Sequence, residues 1–365
     1  MALRVGLCQM TARNDKDVNF RTCAALVSEA AEKGCQLVAL PECFAFIGAF
    51  AGEAQKAAET LEGPTLQRYR DLAKEKQVWL SLGGFQERVE GEDKILNTHV
   101  IVNSKGEFAA VYRKIHLFDA PFTGLVESQQ ALPGKDVVCC DSPVGMLGVT
   151  VCYDVRFPEL YQALRFQHGA ELLLVPSAFS MPTGEAHWEL LMRTRALETQ
   201  CYVVAAAQAG QHNEDGNKRQ SWGRAMAVDP WGKVLAEFDG TSTGVKVVEI
   251  KPDAIQEVRN KMPLAIQRRY DIYGPKGAKT SAQAAAHGEL QALRRRLLEK
   301  EAQQLQQLQV LRQQVEAEEQ LQQQLAEGEL HEEEHQDLQR LTEQRAEASR
   351  QRAQELQREW EVLAQ

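Results

Sequence analysis

Glu42, Lys114 and Cys152 are the three side chains whose types and settings could do chemistry together. Each stands where an apolar or β-branched run gives way to polar sequence. Leu37-Val38-Ala39-Leu40-Pro41 leads into Glu42, Phe108 to Tyr112 leads to Lys114, and Gly148-Val149-Thr150-Val151 leads into Cys152. In open α/β sheets the carboxyl ends of strands are where side chains reach a ligand. A thiol attacks poorly until it loses its proton. A carboxylate within hydrogen-bond reach can take that proton, and an ammonium nearby favours the thiolate and stabilises a developing oxyanion. One acid, one lysine and one cysteine converging on a point therefore suffice for acyl transfer with no metal or cofactor. Singly, each has a plainer reading. Glu42 reads as a surface acid, Lys114 as a solvated strand end, and Cys152 as one more buried thiol.

The elements that must hold these residues are read from periodicity and punctuation. A strand over Leu3 to Met10 is followed by a helix from Asp15 to Lys33, capped by Asn14 or Asp15 and stopped by Gly34. Cys35 to Leu40 is a second, buried strand. A helix over Thr65 to Lys76 precedes strands at Val78 to Phe85, Asn97 to Val102 and Phe108 to Tyr112. Loop-like sequence with Pro121, Gly124, Pro133 and Gly134 comes next. Val137 to Cys140 and Met146 to Val151 read as strands, the second carrying Cys152 at its end. A helix runs from Pro158 to about His168, a strand over Leu172 to Val175, and a helix over Gly184 to Gln200. Strands fit Cys201 to Ala207, Trp222 to Val228, Val234 to Phe238 and Gly244 to Ile250, with a short helix near Pro252 to Lys261.

One stretch echoes another. Helix, Gly34, Gln36 to Pro41, Glu42, Cys43, Phe44 parallels helix, Gly169, Glu171 to Pro176, Ser177, Ala178, Phe179. A duplicated architecture would set Glu42 and Ser177 at equivalent strand ends facing one cleft, although buried strands also share composition by chance.

The chain has 365 residues, 44% hydrophobic and 25% charged, with a net charge of -9. That leaves room for a large core in one domain or two, and an acidic balance argues against general nucleic-acid binding. No apolar run approaches the roughly 20 residues needed to span a bilayer. The N-terminus enters a strand-like pattern at once, without a signal core or transit composition, which reads as a cytoplasmic protein. All eight cysteines lie at or before Cys201. In a long chain without a secretory signal they read as reduced thiols, and Cys8, Cys35, Cys139, Cys140 and Cys201 as core residues. No ligand spacing points to a metal.

After Gly274 the character changes. Residues 275–288 read as a small, polar linker. Residues 289–365 are crowded with Gln, Glu, Arg, Leu and Ala. Leu290, Leu293, Leu297, Leu298, Leu305, Leu308, Leu311 and Val315 form a heptad-like stripe with slips, interrupted by Gly328 and Glu332 to Glu334. This predicts a long helix or coiled-coil extension. A partner surface and a solvated helix weigh equally.

Leu40-Pro41-Glu42-Cys43-Phe44, Tyr112-Arg113-Lys114-Ile115-His116-Leu117-Phe118 and Val151-Cys152-Tyr153-Asp154-Val155-Arg156-Phe157-Pro158-Glu159 resemble, in order, the three blocks of the nitrilase (carbon–nitrogen hydrolase) superfamily. The likeness spans about Leu3 to Gly274, residues 1–274 forming the hydrolase domain. Trp79 to Phe85, Pro176 to Phe179, Thr183 to Glu189 and Glu198 to Gln208 are most similar to the deaminated glutathione amidase branch. The ω-amidase branch shares the core blocks and matches these stretches less well.

The resemblance implies an α/β fold, a four-layer αββα sandwich, with Glu42 as general base, Lys114 as oxyanion stabiliser and Cys152 as nucleophile. It implies a supporting glutamate, matched by Glu127, in a loop a few residues shorter than usual, and an oxyanion contact from the Tyr153 N–H. Arg156 is implied as a substrate-carboxylate ligand, against a structural ion pair with Asp154 or Glu159. Ser177, Phe179 and Thr183 are implied as pocket residues, and His187 as structural. The implied reaction is amide hydrolysis through a thioester, without cofactor, releasing 2-oxoglutarate and cysteinylglycine from deaminated glutathione. An ω-amidase is the alternative, and a scaffold acting through the tail the remaining one. A homodimer through Ala186 to Glu198 is also implied, with a small-molecule substrate and neither nucleic acid nor membrane as partner.

Overall fold

The computed structural model describes residues 3–273 and four isolated helical positions beyond them, Gln307, Val310, Gln313 and Glu347. The linker and tail expected over 275–365 otherwise lie outside the described residues. The chain divides into two units, Met1–Ala284 and Ala285–Gln365. No helix among the described residues is long and apolar enough to cross a membrane.

Alternation along the first strand, Leu3–Met10, sets the layering. Side chains on a strand point to opposite faces in turn. Val5 and Leu7 enter one apolar cluster, and Cys8 and Met10 enter another. The strand Leu37–Leu40 repeats the split, with Leu37 and Ala39 on one side and Val38 and Leu40 on the other. The second cluster lies under the helices Lys16–Glu32 and Pro64–Lys76, which contribute Leu26, Val27, Ala30, Leu66, Tyr69 and Leu72. The first cluster continues into a facing sheet through Val149, Leu172, Leu174 and Val203. That sheet is covered in turn by the helices Pro158–Phe166 and Met181–Thr199, which bury Leu164, Trp188 and Met192. The result is four layers, helix–sheet–sheet–helix.

The first sheet runs Gln220–Trp222, Ala207–Gln211, Leu3–Met10, Leu37–Leu40, Trp79–Arg88, Ile95–Val102, Phe108–Arg113. Gly244–Ile250 also pairs antiparallel with the first strand. The facing sheet runs Val234–Glu237, Met226–Val228, Tyr202–Ala205, Leu172–Leu174, Leu147–Val149, Val138–Cys140.

Four expectations change. The run Cys201 to Ala207 is not one strand: Tyr202–Ala205 lies in the facing sheet and Ala207–Gln211 in the first. Trp222 to Val228 is likewise split, and Gly223 and Arg224 make the break with left-handed backbone at φ +74 and +58. The first run stays buried on either side of the switch, so hydrophobicity carries no mark of it, whereas the second breaks at the exposed Arg224. The helix expected from Gly184 begins at Met181, with Pro182 in its first turn, where a missing N–H costs nothing. Cys139 and Cys140 are half-buried on an edge strand and not in the core.

Candidate active site

The strand before Cys152 ends at Val149, two residues earlier than its apolar pattern implies. Thr150 and Val151 leave the ladder, and Cys152 opens a 3-10 turn, Cys152–Arg156. Its φ of +47 is left-handed, a conformation that L residues adopt at a cost of order 1–3 kcal/mol and that collects at functional sites. The turn is pinned from three sides. Cys152 N–H donates to Pro176 O at 2.9 Å. His99 Nδ1 lies 2.8 Å from Thr150 O, and Val151 N–H donates to Asp154 Oδ2 at 2.9 Å.

Glu42 arrives from the first sheet, two residues past Leu40. Gly84 clears its path, since a Cβ there would lie 2.5 Å from Glu42 Cγ. The expected duplication places the two strand ends together: Ala178 N–H donates to Glu42 Oε2 at 3.0 Å. Lys114 follows the strand Phe108–Arg113, and its Nζ donates to Glu42 Oε1 at 3.1 Å and Glu127 Oε2 at 2.8 Å. The Cys152 thiol lies beside the Glu42 carboxylate, whose charge acts on it together with that of Lys114. Glu42, Lys114 and Cys152 are 5%, 2% and 8% exposed, so their charges act at low effective dielectric.

Burial pushes the Cys152 thiol well up, Glu42 adds to that, and Lys114 opposes it without prevailing. Burial alone would raise Glu42 too, but Lys114, with Cys152 and the hydrogen bond from Asn97, holds it below the usual carboxylate range. Burial would lower Lys114, and Glu127 and Glu42 raise it well above the usual lysine value instead. These directions favour a thiol, a carboxylate and an ammonium at neutral pH.

A cleft of about 230 Å³ opens over the thiol, lined by Phe118, Cys152, Tyr153, Arg156, Ala178, Phe179, Ser180 and Thr183. Arg156 faces it with its guanidinium 5.6 Å from the ring centres of both Tyr153 and Phe179. Among the described residues it pairs with neither Asp154 nor Glu159. Its neighbour is His187, with Nδ1 3.3 Å from both terminal nitrogens. Phe179 and Thr183 line the cleft, whereas Ser177 does not. Ser177 is fully buried, with its hydroxyl donating to Val175 O at 3.0 Å. The strand end that carries it points its successor, Ala178, at the site.

Three residues escaped the sequence reading. Asn97 donates to both Glu42 and Glu127, and Asp154 anchors the cysteine turn. Arg219 donates to Ala178 O at 3.3 Å, and its charge reaches Glu42. Asn97 and Arg219 carried no signal beyond residue type. Asp154 lay inside a quoted block, two residues past the cysteine. No cluster of potential metal ligands occurs among the described residues.

Residues 4–260 match the family model for carbon-nitrogen hydrolases. The chain is 48% identical over 282 residues to a deaminated glutathione amidase of Homo sapiens, covering 75% of this chain and 84% of that one. It is 46% identical over 280 residues to a deaminated glutathione amidase of Dictyostelium discoideum, covering 74% and 95%. Its fold is similar to the crystal structure of the C. elegans NitFhit protein, with TM-score 0.69 and 42% identity over 75% of this chain and 67% of that one. With a family match over residues 4–260, and relatives of nearly half-identical sequence, the chain belongs to the carbon–nitrogen hydrolase family.

Proposed function

We propose that this protein is a cysteine-dependent amidase that hydrolyses deaminated glutathione to 2-oxoglutarate and cysteinylglycine. One observation carries the reading: the buried Cys152 thiol lies within the charges of Glu42 and Lys114, and the Lys114 ammonium bonds the Glu42 carboxylate at 3.1 Å. The family relation and the names of the relatives supply the substrate.

The steps follow from these roles. Glu42 takes the Cys152 proton as sulfur attacks the amide carbonyl. Lys114 and the Tyr153 N–H stabilise the oxyanion, where fixed donors act with little reorganisation. The C–N bond breaks as Glu42 returns the proton to the departing amine, leaving a thioester. A water then gives one proton to Glu42, and its oxygen attacks the thioester. Collapse expels the thiolate, which recovers the proton from Glu42. Arg156 binds a substrate carboxylate, as its fork suits bidentate recognition.

In this reading residues 1–274 are the hydrolase body, 275–288 a linker and 289–365 the extension, which serves either as a partner surface or as a solvated segment. The body pairs as a homodimer through the outer face of Met181–Thr199, where Leu190 and Leu197 are 68% and 49% exposed.

The test is a substrate panel of deaminated glutathione, 2-oxoglutaramate and uncharged amides, run on the purified protein and on Cys152→Ala. The variant should fold and lose at least about 10³-fold in kcat. Appreciable turnover by it would remove Cys152 from the mechanism, and preference for 2-oxoglutaramate would reassign the substrate. Truncation after Gly274 tests the tail: unchanged activity and an unchanged number of subunits in the oligomer would show that it is not an assembly element.

A further inference from the structure

Asn97 sits on the strand Ile95–Val102, beside the end of the strand that delivers Lys114. Its backbone carbonyl accepts the Lys114 N–H at 2.9 Å. Its side-chain Nδ2 donates to Glu42 Oε1 at 2.9 Å and to Glu127 Oε1 at 2.9 Å. We propose that Asn97 is a positioning residue of the amidase site, its amide holding the Glu42 and Glu127 carboxylates in place so that Glu42 faces the Cys152 thiol. The inference rests on the amidase reading above.

Lys114 Nζ bridges Glu42 Oε1 and Glu127 Oε2, the first carboxylate buried and the second half-buried. Arg219 adds a more distant positive charge toward Glu42, but two carboxylates on one ammonium still repel, and like charges in one site favour the protonated form. A protonated Glu42 could not take the thiol proton. A further cation in direct contact would relieve the repulsion but would also weaken Glu42 as a base. A neutral amide with two hydrogens steadies both carboxylates without adding charge, and only Asn or Gln offers that pair.

The orientation of the amide is fixed by its surroundings, since reversal would set its oxygen against two carboxylates. This orientation leaves Asn97 Oδ1 buried with no partner among the described residues. An unmet buried acceptor is costly. The donor pair is thus kept at the expense of a polar atom that serves no packing purpose.

The test uses the full chain with Asn97→Asp, which keeps the shape and removes the donors, Asn97→Ser, which keeps one donor, and Asn97→Ala. Two profiles are read against pH: kcat/KM on the preferred amide, and the rate of Cys152 alkylation by iodoacetamide followed by intact mass. The second needs no knowledge of the substrate, so it separates failure of this inference from failure of the amidase reading. In Asn97→Asp the acid limb of both profiles should move up by about one pH unit, a loss of about 1.4 kcal/mol in favour of ionised Glu42. Asn97→Ala should shift less, and Asn97→Ser least. In the alanine variant kcat should fall about 10- to 100-fold, part of what a general base contributes. KM should stay within about threefold, because no substrate contact is lost. Melting curves report the fold. Folded variants with wild-type acid limbs, or with the loss confined to KM, would overturn the proposal.

Discussion

Tyr112 donates its hydroxyl to Asp154 Oδ2 across 2.7 Å, with both side chains buried. That bond ties the strand delivering Lys114 to the turn delivering Cys152. Asp154 gathers three more contacts, from the Val151 N–H at 2.9 Å, the His116 N–H at 3.1 Å and His116 Nδ1 at 2.8 Å. The His116 ring stacks on Phe157 at 3.6 Å. Tyr112 and His116 flank the lysine, and Asp154 follows the cysteine. The two sheets are thus locked in register by one buried carboxylate, close to where their reacting groups meet.

Tyr112→Phe deletes one donor from that carboxylate and changes nothing else in shape. A hydrogen bond to a charged group is worth about 1.5–3 kcal/mol, and urea denaturation should show a loss of that order. Steady-state kinetics should show kcat falling more than KM, since the bond sets the distance between Lys114 and Cys152 and touches no substrate.

Gly84→Ala should damage the site from behind. Gly84 holds φ at +68, and an added Cβ would meet Glu42 Cγ at 2.5 Å and Cys43 N at 2.8 Å. The backbone penalty is about 1 kcal/mol or more, and Glu42 must shift to relieve the contact. A lower melting temperature together with slower Cys152 alkylation is expected. Preserved alkylation would show that Glu42 tolerates the displacement.

Acid should unfold the body early. His99 and His212 are pushed down to about 4, chiefly by burial, from an ordinary value of 6.5. His99 lies 2.8 Å from Ser81 Oγ, and His212 lies 2.7 Å from Ser221 Oγ. Between these values the unfolded chain binds protons that the folded chain refuses. The stability is whole above pH 6.5 and is lost as pH falls toward 4, by about 3 kcal/mol for each histidine. Urea midpoints measured at pH 7 and at pH 4.5 check the direction and the size.

Arg156→Lys should separate binding from chemistry. Losing a bidentate fork on a carboxylate raises KM about tenfold or more, while kcat changes little. An amide lacking the carboxylate should be hydrolysed equally by both proteins. Equal KM values on the carboxylated substrate would return Arg156 to a structural role beside His187.

Type and local order were legible in the chain. Strand and helix periods located nearly every element around the site, and the residues after Leu40, after Tyr112 and after Val151 stood out because apolar runs ended on reactive groups. Glu42, Lys114 and Cys152 are separated by long stretches of sequence, yet each follows a strand-like run that gives way to polar sequence, which is a local property. What no local property carries is the contact between strands. The Cys201 to Ala207 run changes sheets with no change in hydrophobicity, Ser177 turns its hydroxyl into its own strand end, and Asn97 looks like any polar residue entering a strand. Burial also reverses one expectation in direction: Lys114 read from sequence favours a thiolate, whereas the fold removes water from the thiol and sets Glu42 against it. Desolvation and through-space charge depend on distances that only packing fixes. Residue type and local order name the groups able to react; which of them meet, and what holds them there, follows from contacts between strands far apart in the chain.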